Sequence, residues 1–126
     1  MRRSRILFIM CDPYLAGIYG RKFERSGWDV DIEEDVVSAE RHGAKSPPHV
    51  LVLDIDCVAD PVAQVKELRS LPTLMRTRLV LLAREGNCDM IDAAMNAGAD
   101  SFLLIGHFVP QEAVDKMHRL LNTPNL

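Results

Sequence analysis

The chain has 126 residues, 48% of them hydrophobic and 26% charged, with a formal charge of −3 and a pI of about 5.8. That size and apolar share fit one soluble globular domain, 1–126, with a core over about 5–121 and a tail or linker start at 122–126. The acidic balance argues against a nucleic-acid surface, no apolar run is long enough to span a membrane, and the first apolar stretch is too short for a secretion signal.

In chain order, Arg2, Arg3 and Arg5 read as a solvated basic tail, and RILFIM (5–10) as a buried strand. Asp12-Pro13 is a turn and helix-start signal, and Leu15, Ile18, Tyr19 and Phe23 recur at helical spacing until Gly27 stops the helix. WDVDIE (28–33) alternates as a strand with one covered face. A modest helix over Val36 to Lys45 ends at the breaker SPPH (46–49).

The next strand is VLVLD, an apolar run that ends in a carboxylate, Asp54. CVADP (57–61) is a loop whose Pro61 opens a helix striped by Val62, Val65, Leu68 and Leu71 and closed by Pro72. RLVLLA (78–83) is a buried strand, EGN (85–87) a loop, Met90 to Ala97 a helix stopped by Gly98, SFLLI (101–105) a strand, GHFVP a loop, and Gln111 to Leu121 an amphipathic helix. Five strands, each followed by a helix, three of them without polar alternation, predict an α/β fold: a doubly wound, five-stranded parallel sheet covered on both faces. Ligands collect at the carboxyl edge of such a sheet, where Met10, Cys11, Asp54, Ala83 and Ile105 fall.

DPYL (12–15), SGWDVD (26–31), PHVLVLDI (48–55) and AGADSFL (97–103), in that strand–helix order, resemble a response regulator receiver domain of two-component signalling. The resemblance implies the flavodoxin-like (βα)5 arrangement with strand order 2-1-3-4-5. It also implies a phosphorylation site. A phosphoacceptor Asp and an acidic pair after the first strand hold Mg²⁺ with a carbonyl two residues beyond the acceptor, and a Thr or Ser and a Lys end the fourth and fifth strands. Phosphoryl transfer needs these parts to cancel charge on the transferring group.

Carried over residue by residue, Asp54 matches the phosphoacceptor, Asp56 the carbonyl position and Phe102 the switch aromatic. The acidic pair is Met10 and Cys11, followed by Asp12. The hydroxyl position is Ala83, the small residue after it is Arg84, and the Lys-Pro pair is Ile105-Gly106. The resemblance is therefore to a degenerate pseudo-receiver: no catalytic residues, no resident metal, weak or absent Mg²⁺ binding, and no enzyme activity. It implies a cytoplasmic signalling module that works through protein partners, with a homodimer as one option. The family's partner face maps to Asp89, Asp92, Ala93, Asn96, Ile105, His107, Gln111 and Lys116.

Several residues admit two readings. Asp54 is either a phosphorylated residue or a vestigial carboxylate, whose burial should raise its pKa unless a cation compensates. Arg84 is either that cation, folded over the pocket, or a solvated arginine. Cys11, Cys57 and Cys88, with His107, lie in loops that converge on the same edge and could form a thiol or metal sensor, or could be small core residues. Their odd number and lack of a CxxC spacing argue against a disulfide framework and point to a reducing cytoplasm. Met90, Ile91 and Met95 read as core or as an adaptable partner face, and His42, His49 and His118 as surface or capping positions.

Overall fold

The structure, a computed structural model, describes residues 3–106 and 110–122, with the side chains of 42–45 outside that description. Its strands are β1 (Arg5–Ile9), β2 (Asp29–Glu33), β3 (Val50–Asp54), β4 (Arg78–Ala83) and β5 (Ser101–Leu104). Its helices are α1 (Pro13–Arg25), α2 (Val36–Lys45), α3 (Pro61–Ser70), α4 (Cys88–Ala97) and α5 (Pro110–Asn122). All pairings are parallel, and the sheet order is β2-β1-β3-β4-β5.

Alternation along the strands divides the core into two layers. Leu7, Ile9, Leu51, Leu53, Leu79 and Leu81 face α2, α3 and α4, meeting Ala39, Val65, Leu68, Ile91 and Ala94. Ile6, Phe8, Val50, Val52, Val80 and Leu82 face the other way, meeting Tyr19 and Phe23 of α1 and Ala113, Val114 and Met117 of α5. Every residue of β3 is buried, including Asp54. β2 is an edge strand, and its exposed Asp29 and Asp31 protect that edge from further pairing.

Local chemistry sets the boundaries. The Asp12 carboxylate accepts the Tyr14 N–H at 2.9 Å and so caps α1, with Pro13 in the first turn. Asp60 caps α3 in the same way through Ala63 N–H. Gly98 closes α4 at φ +133, where a Cβ would stand 2.6 Å from Arg69 Cγ, so the AGAD stretch needs glycine for both conformation and space. Asp100 then accepts the Leu79 N–H at 2.8 Å and the Arg69 guanidinium at 3.2 Å, fixing the entry to β4.

Most boundaries shift by a residue or two from the sequence reading, and three of these shifts lie near the carboxyl edge. Cys57 is not simply loop but ends a 3-10 turn over Ile55–Cys57. α4 starts at Cys88, ahead of Met90. β5 stops at Leu104, although Ile105 N–H still donates to Ala83 O at 2.8 Å.

Candidate functional site at the carboxyl edge of the sheet

β3 carries Asp54 to the carboxyl edge between β1 and β4, and its side chain is 1% exposed. A carboxylate in that position requires compensation, because an unpaired buried charge costs several kcal/mol. Three donors supply it. Asp56 N–H donates to Oδ1 at 3.0 Å, turning the chain into the 3-10 turn. Arg84 Nη1 donates to the same oxygen at 3.0 Å, and Arg84 Nη2 reaches Oδ2 at 3.5 Å.

Arg84 also bonds Asp56, Nη1 to Oδ2, at 2.7 Å. One guanidinium therefore spans both carboxylates, and of the two readings of Arg84 the structure has the paired one. The hydrogen bond to Asp54, opposed by partial burial, holds the guanidinium above its ordinary pKa, so it stays charged at any working pH. The β4–α4 loop aims it. Arg84 N–H donates to Asn87 Oδ1 at 2.9 Å, Asn87 N–H returns to Arg84 O at 3.3 Å, and Gly86 turns at φ +92. The EGN stretch carries that turn signal, but sequence reasoning treated it only as a loop.

The remaining expected pocket residues separate into two groups. Ala83 is buried at the end of β4 and presents a methyl. Met10 is buried in the α1 and α5 layer, and Ile105 packs partly against that same layer. Asp12 is committed to capping α1 rather than to the pocket. Cys11 and Cys57 form a disulfide, with Cα atoms 5.8 Å apart and Cys11 N–H directed at Cys57 Sγ at 3.0 Å. This corrects the expectation, drawn from cysteine number and spacing, against a disulfide framework. β1 and β3 are neighbours, so cysteines just past their ends meet despite a separation of 46 residues. Strand order held that information, whereas cysteine spacing did not. Cys88 is exposed and free, outside this pair.

These residues do not suit Mg²⁺. The ion takes nearly ideal octahedral oxygen coordination. Here two carboxylates, Asp54 and Asp56, share an arginine, and the positions after β1 supply a thioether and a bridged sulfur. Among the described residues, no group of three His, Cys, Asp or Glu could hold a metal ion.

Beside this pocket, a cleft of about 470 Å³ lies between α4 and β5, lined by Ile91, Phe102 and Leu104 and by Arg84, Cys88 and Asp92. Lys116 of α5 donates to Phe102 O at 2.6 Å, and its Nζ sits 5.0 Å from the Phe102 ring centroid. Asp89, Asp92, Ala93 and Asn96 are exposed along α4, and Gln111 is exposed on α5. His107 lies outside the described residues. Ile91 belongs to the core, Met95 packs against it, and Met90 is 37% exposed, so the Met-rich stretch has a core side and a free side. His49 accepts the Arg5 N–H at 2.9 Å, and His118 meets buried Trp28, whose Nε1 donates to Nε2 at 3.3 Å. The second contact had no sequence signal.

The fold is shared with proteins of known structure. A chain assigned as a response regulator from Chloroflexus aurantiacus superposes with a TM-score of 0.87 at 22% identity, over 97% of this chain and 100% of that one. A response regulator from Thermotoga maritima gives 0.86 at 12% identity, over 97% and 100%. The receiver domain of sensor histidine kinase PA1611 from Pseudomonas aeruginosa, which carries magnesium in its active-site cleft, gives 0.84 at 16% identity, over 97% and 100%. No family model matches the chain, and no curated protein matches it by sequence. The chain has the flavodoxin-like fold of response regulator receiver domains, with its strand order 2-1-3-4-5.

Proposed function

We propose that this chain is a pseudo-receiver: a cytoplasmic signalling module that works through contacts with other proteins, without phosphorylation of Asp54 and without enzymatic turnover. The observation that carries this reading is the Arg84 guanidinium, bonded to both Asp54 and Asp56. It is a tethered cation in the pocket where a receiver would admit a metal and a phosphoryl group. It neutralises charge permanently, so the pocket has no empty state waiting for a signal. No hydroxyl at Ala83 and no ammonium at Ile105 is available to bond a transferred phosphoryl group.

The cleft between α4 and β5 supports the second half of the reading. Its lining combines apolar side chains with a few charged ones, the usual makeup of a recognition site. The exposed Asp89, Asp92, Ala93 and Asn96 beside it, with Gln111 and Lys116 on α5, are where a protein partner or a second copy of the chain would sit. Among the described residues no helix is long and apolar enough to cross a membrane. The acidic balance disfavours nucleic acid.

The test is an amide NMR titration with Mg²⁺ and then with beryllofluoride, a phosphoryl mimic. The expected outcome is no saturable shift at Asp54, Arg84 or Phe102 at millimolar Mg²⁺, and none with the mimic. Saturable shifts running from Asp54 to Phe102 and α4 would overturn the reading in favour of a working phosphoacceptor.

A further inference from the structure

The Cys11–Cys57 bridge has no evident structural need. Disulfides stabilise small chains whose cores are too thin to fold alone. Here β3 is buried throughout and nearly all of β4 is buried, with apolar layers on both faces of the sheet. The bridge lies instead at the rim of the carboxyl edge, where Cys11 is exposed and Cys57 partly so. An accessible sulfur is what thiol–disulfide exchange requires, since the attacking thiolate must reach it. In the reducing compartment proposed above, such a bridge persists only while an oxidant maintains it.

The attachment of the bridge gives it a consequence. Cys57 ends the 3-10 turn Ile55–Cys57, which Asp54 caps through the Asp56 N–H. The residue before Cys57 is Asp56, whose carboxylate Arg84 holds at 2.7 Å. The bridge ties this turn to the end of β1, so the clamp on Asp56 is anchored covalently one residue away.

We infer that Cys11 and Cys57 form a reversible redox pair, reduced by a dithiol of thioredoxin-like chemistry, and that its state sets how firmly Arg84 holds the Asp56 turn. A thiolate of the dithiol attacks the exposed Cys11 sulfur. The Cys11–Cys57 bond breaks, and its electron pair leaves on Cys57, which takes up a proton. The second thiol of the reductant loses its proton and attacks the mixed disulfide at its own partner sulfur, releasing Cys11, which is protonated in turn. Two electrons and two protons pass to the bridge, and the dithiol leaves as a disulfide. Cys88, exposed and outside the pair, takes no part. This inference goes beyond the pseudo-receiver reading and takes from it only the reducing compartment, since the redox pair could control a pocket of either kind.

The test uses the full chain carrying Cys88→Ser. The folded protein is equilibrated in graded mixtures of reduced and oxidised dithiothreitol or glutathione, quenched and alkylated, and its mass is read. Amide spectra are recorded at both ends of the series. The expected result is a two-electron transition in the folded state, with a shifted Asp56 amide and faster amide exchange across Ile55–Cys57 in the reduced form. Cys57→Ser should give the reduced form's Asp56 signal, and chemical reduction of the parent gives the same information should that variant misfold. Three outcomes overturn the proposal: thiols that stay alkylatable in excess oxidised glutathione, a bridge that opens only in denaturant, or a clean transition that leaves Asp56 and Arg84 unchanged.

Discussion

Two arginines bind aspartates at opposite edges of the same sheet. At the amino edge, Arg69 reaches Asp100 at 3.2 Å and the Thr77 carbonyl at 2.6 Å, while Asp100 also accepts the Leu79 N–H. At the carboxyl edge, the Arg84 guanidinium bonds only the carboxylates of Asp54 and Asp56 among the described residues. The first arginine is woven into the backbone that starts β4, and the second answers charge. The aspartates differ accordingly: the Asp100 side chain is 24% exposed and has water to fall back on, whereas Asp54 is 1% exposed and has none. One constellation builds the fold, and the other fills a pocket that the fold leaves at its carboxyl edge.

The largest effect is expected at the amino edge. Arg69→Ala removes a charge-assisted bond to a backbone carbonyl, an ion pair, and the stem that packs on Gly98, and should cost about 2–4 kcal/mol of stability. Adding Asp100→Asn should recover almost nothing. The amide oxygen still accepts the Leu79 N–H, and the charge it removes was already partly solvated. Urea unfolding of the single and double variants measures this, and substantial recovery would place the two arginines in one class.

Arg84→Ala should cost less, about 1–3 kcal/mol, because Arg84 is itself 35% exposed and water can enter behind it. Here Asp54→Asn should rescue. It removes the stranded charge and keeps an acceptor for the Asp56 N–H, so the double variant should be at least about 1 kcal/mol more stable than Arg84→Ala alone. Absence of rescue would mean that Asp54 does not depend on Arg84, and the tethered-cation reading of the pocket would fall with it.

The contrast between the edges bears on what the sequence disclosed. The amino-edge constellation lies within the AGAD stretch that helped carry the resemblance, because Gly98 and Asp100 do structural work that any sheet of this order needs. β4 and α2 fall at their expected bounds for a similar reason: apolar runs and breakers are local signals. The carboxyl edge was legible as a set of substitutions and as two open readings of Arg84. That Arg84 turns inward depends on a four-residue turn closed by Asn87, and that Cys11 meets Cys57 depends on which strands are neighbours. Neither fact has a periodicity to reveal it. Trp28 and His118 show the same limit, since they join α5 to the entry of β2 across most of the chain.

Lys116 offers the smallest and most discriminating test of the comparison, because it combines features of both arginines. Like Arg69 it bonds a backbone carbonyl, that of Phe102, and its Nζ lies against the Phe102 ring, which lines the same cleft as Arg84. Burial, and secondarily the charge of Arg119, hold its ammonium below the ordinary value of 10.5. A lysine with a lowered folded pKa carries fewer protons folded than unfolded between the two values. Its penalty is therefore fully present below that window, and stability rises with pH through it. Lys116→Met should change stability near neutrality by no more than about 1 kcal/mol, since the lost bond and the relieved desolvation oppose each other. Wild type should then gain on the variant as pH climbs towards 10.5, read by urea unfolding across that range. A difference that stays flat with pH would mean the ammonium keeps its water, leaving the bond to Phe102 as a surface contact rather than a fastening of β5 to α5.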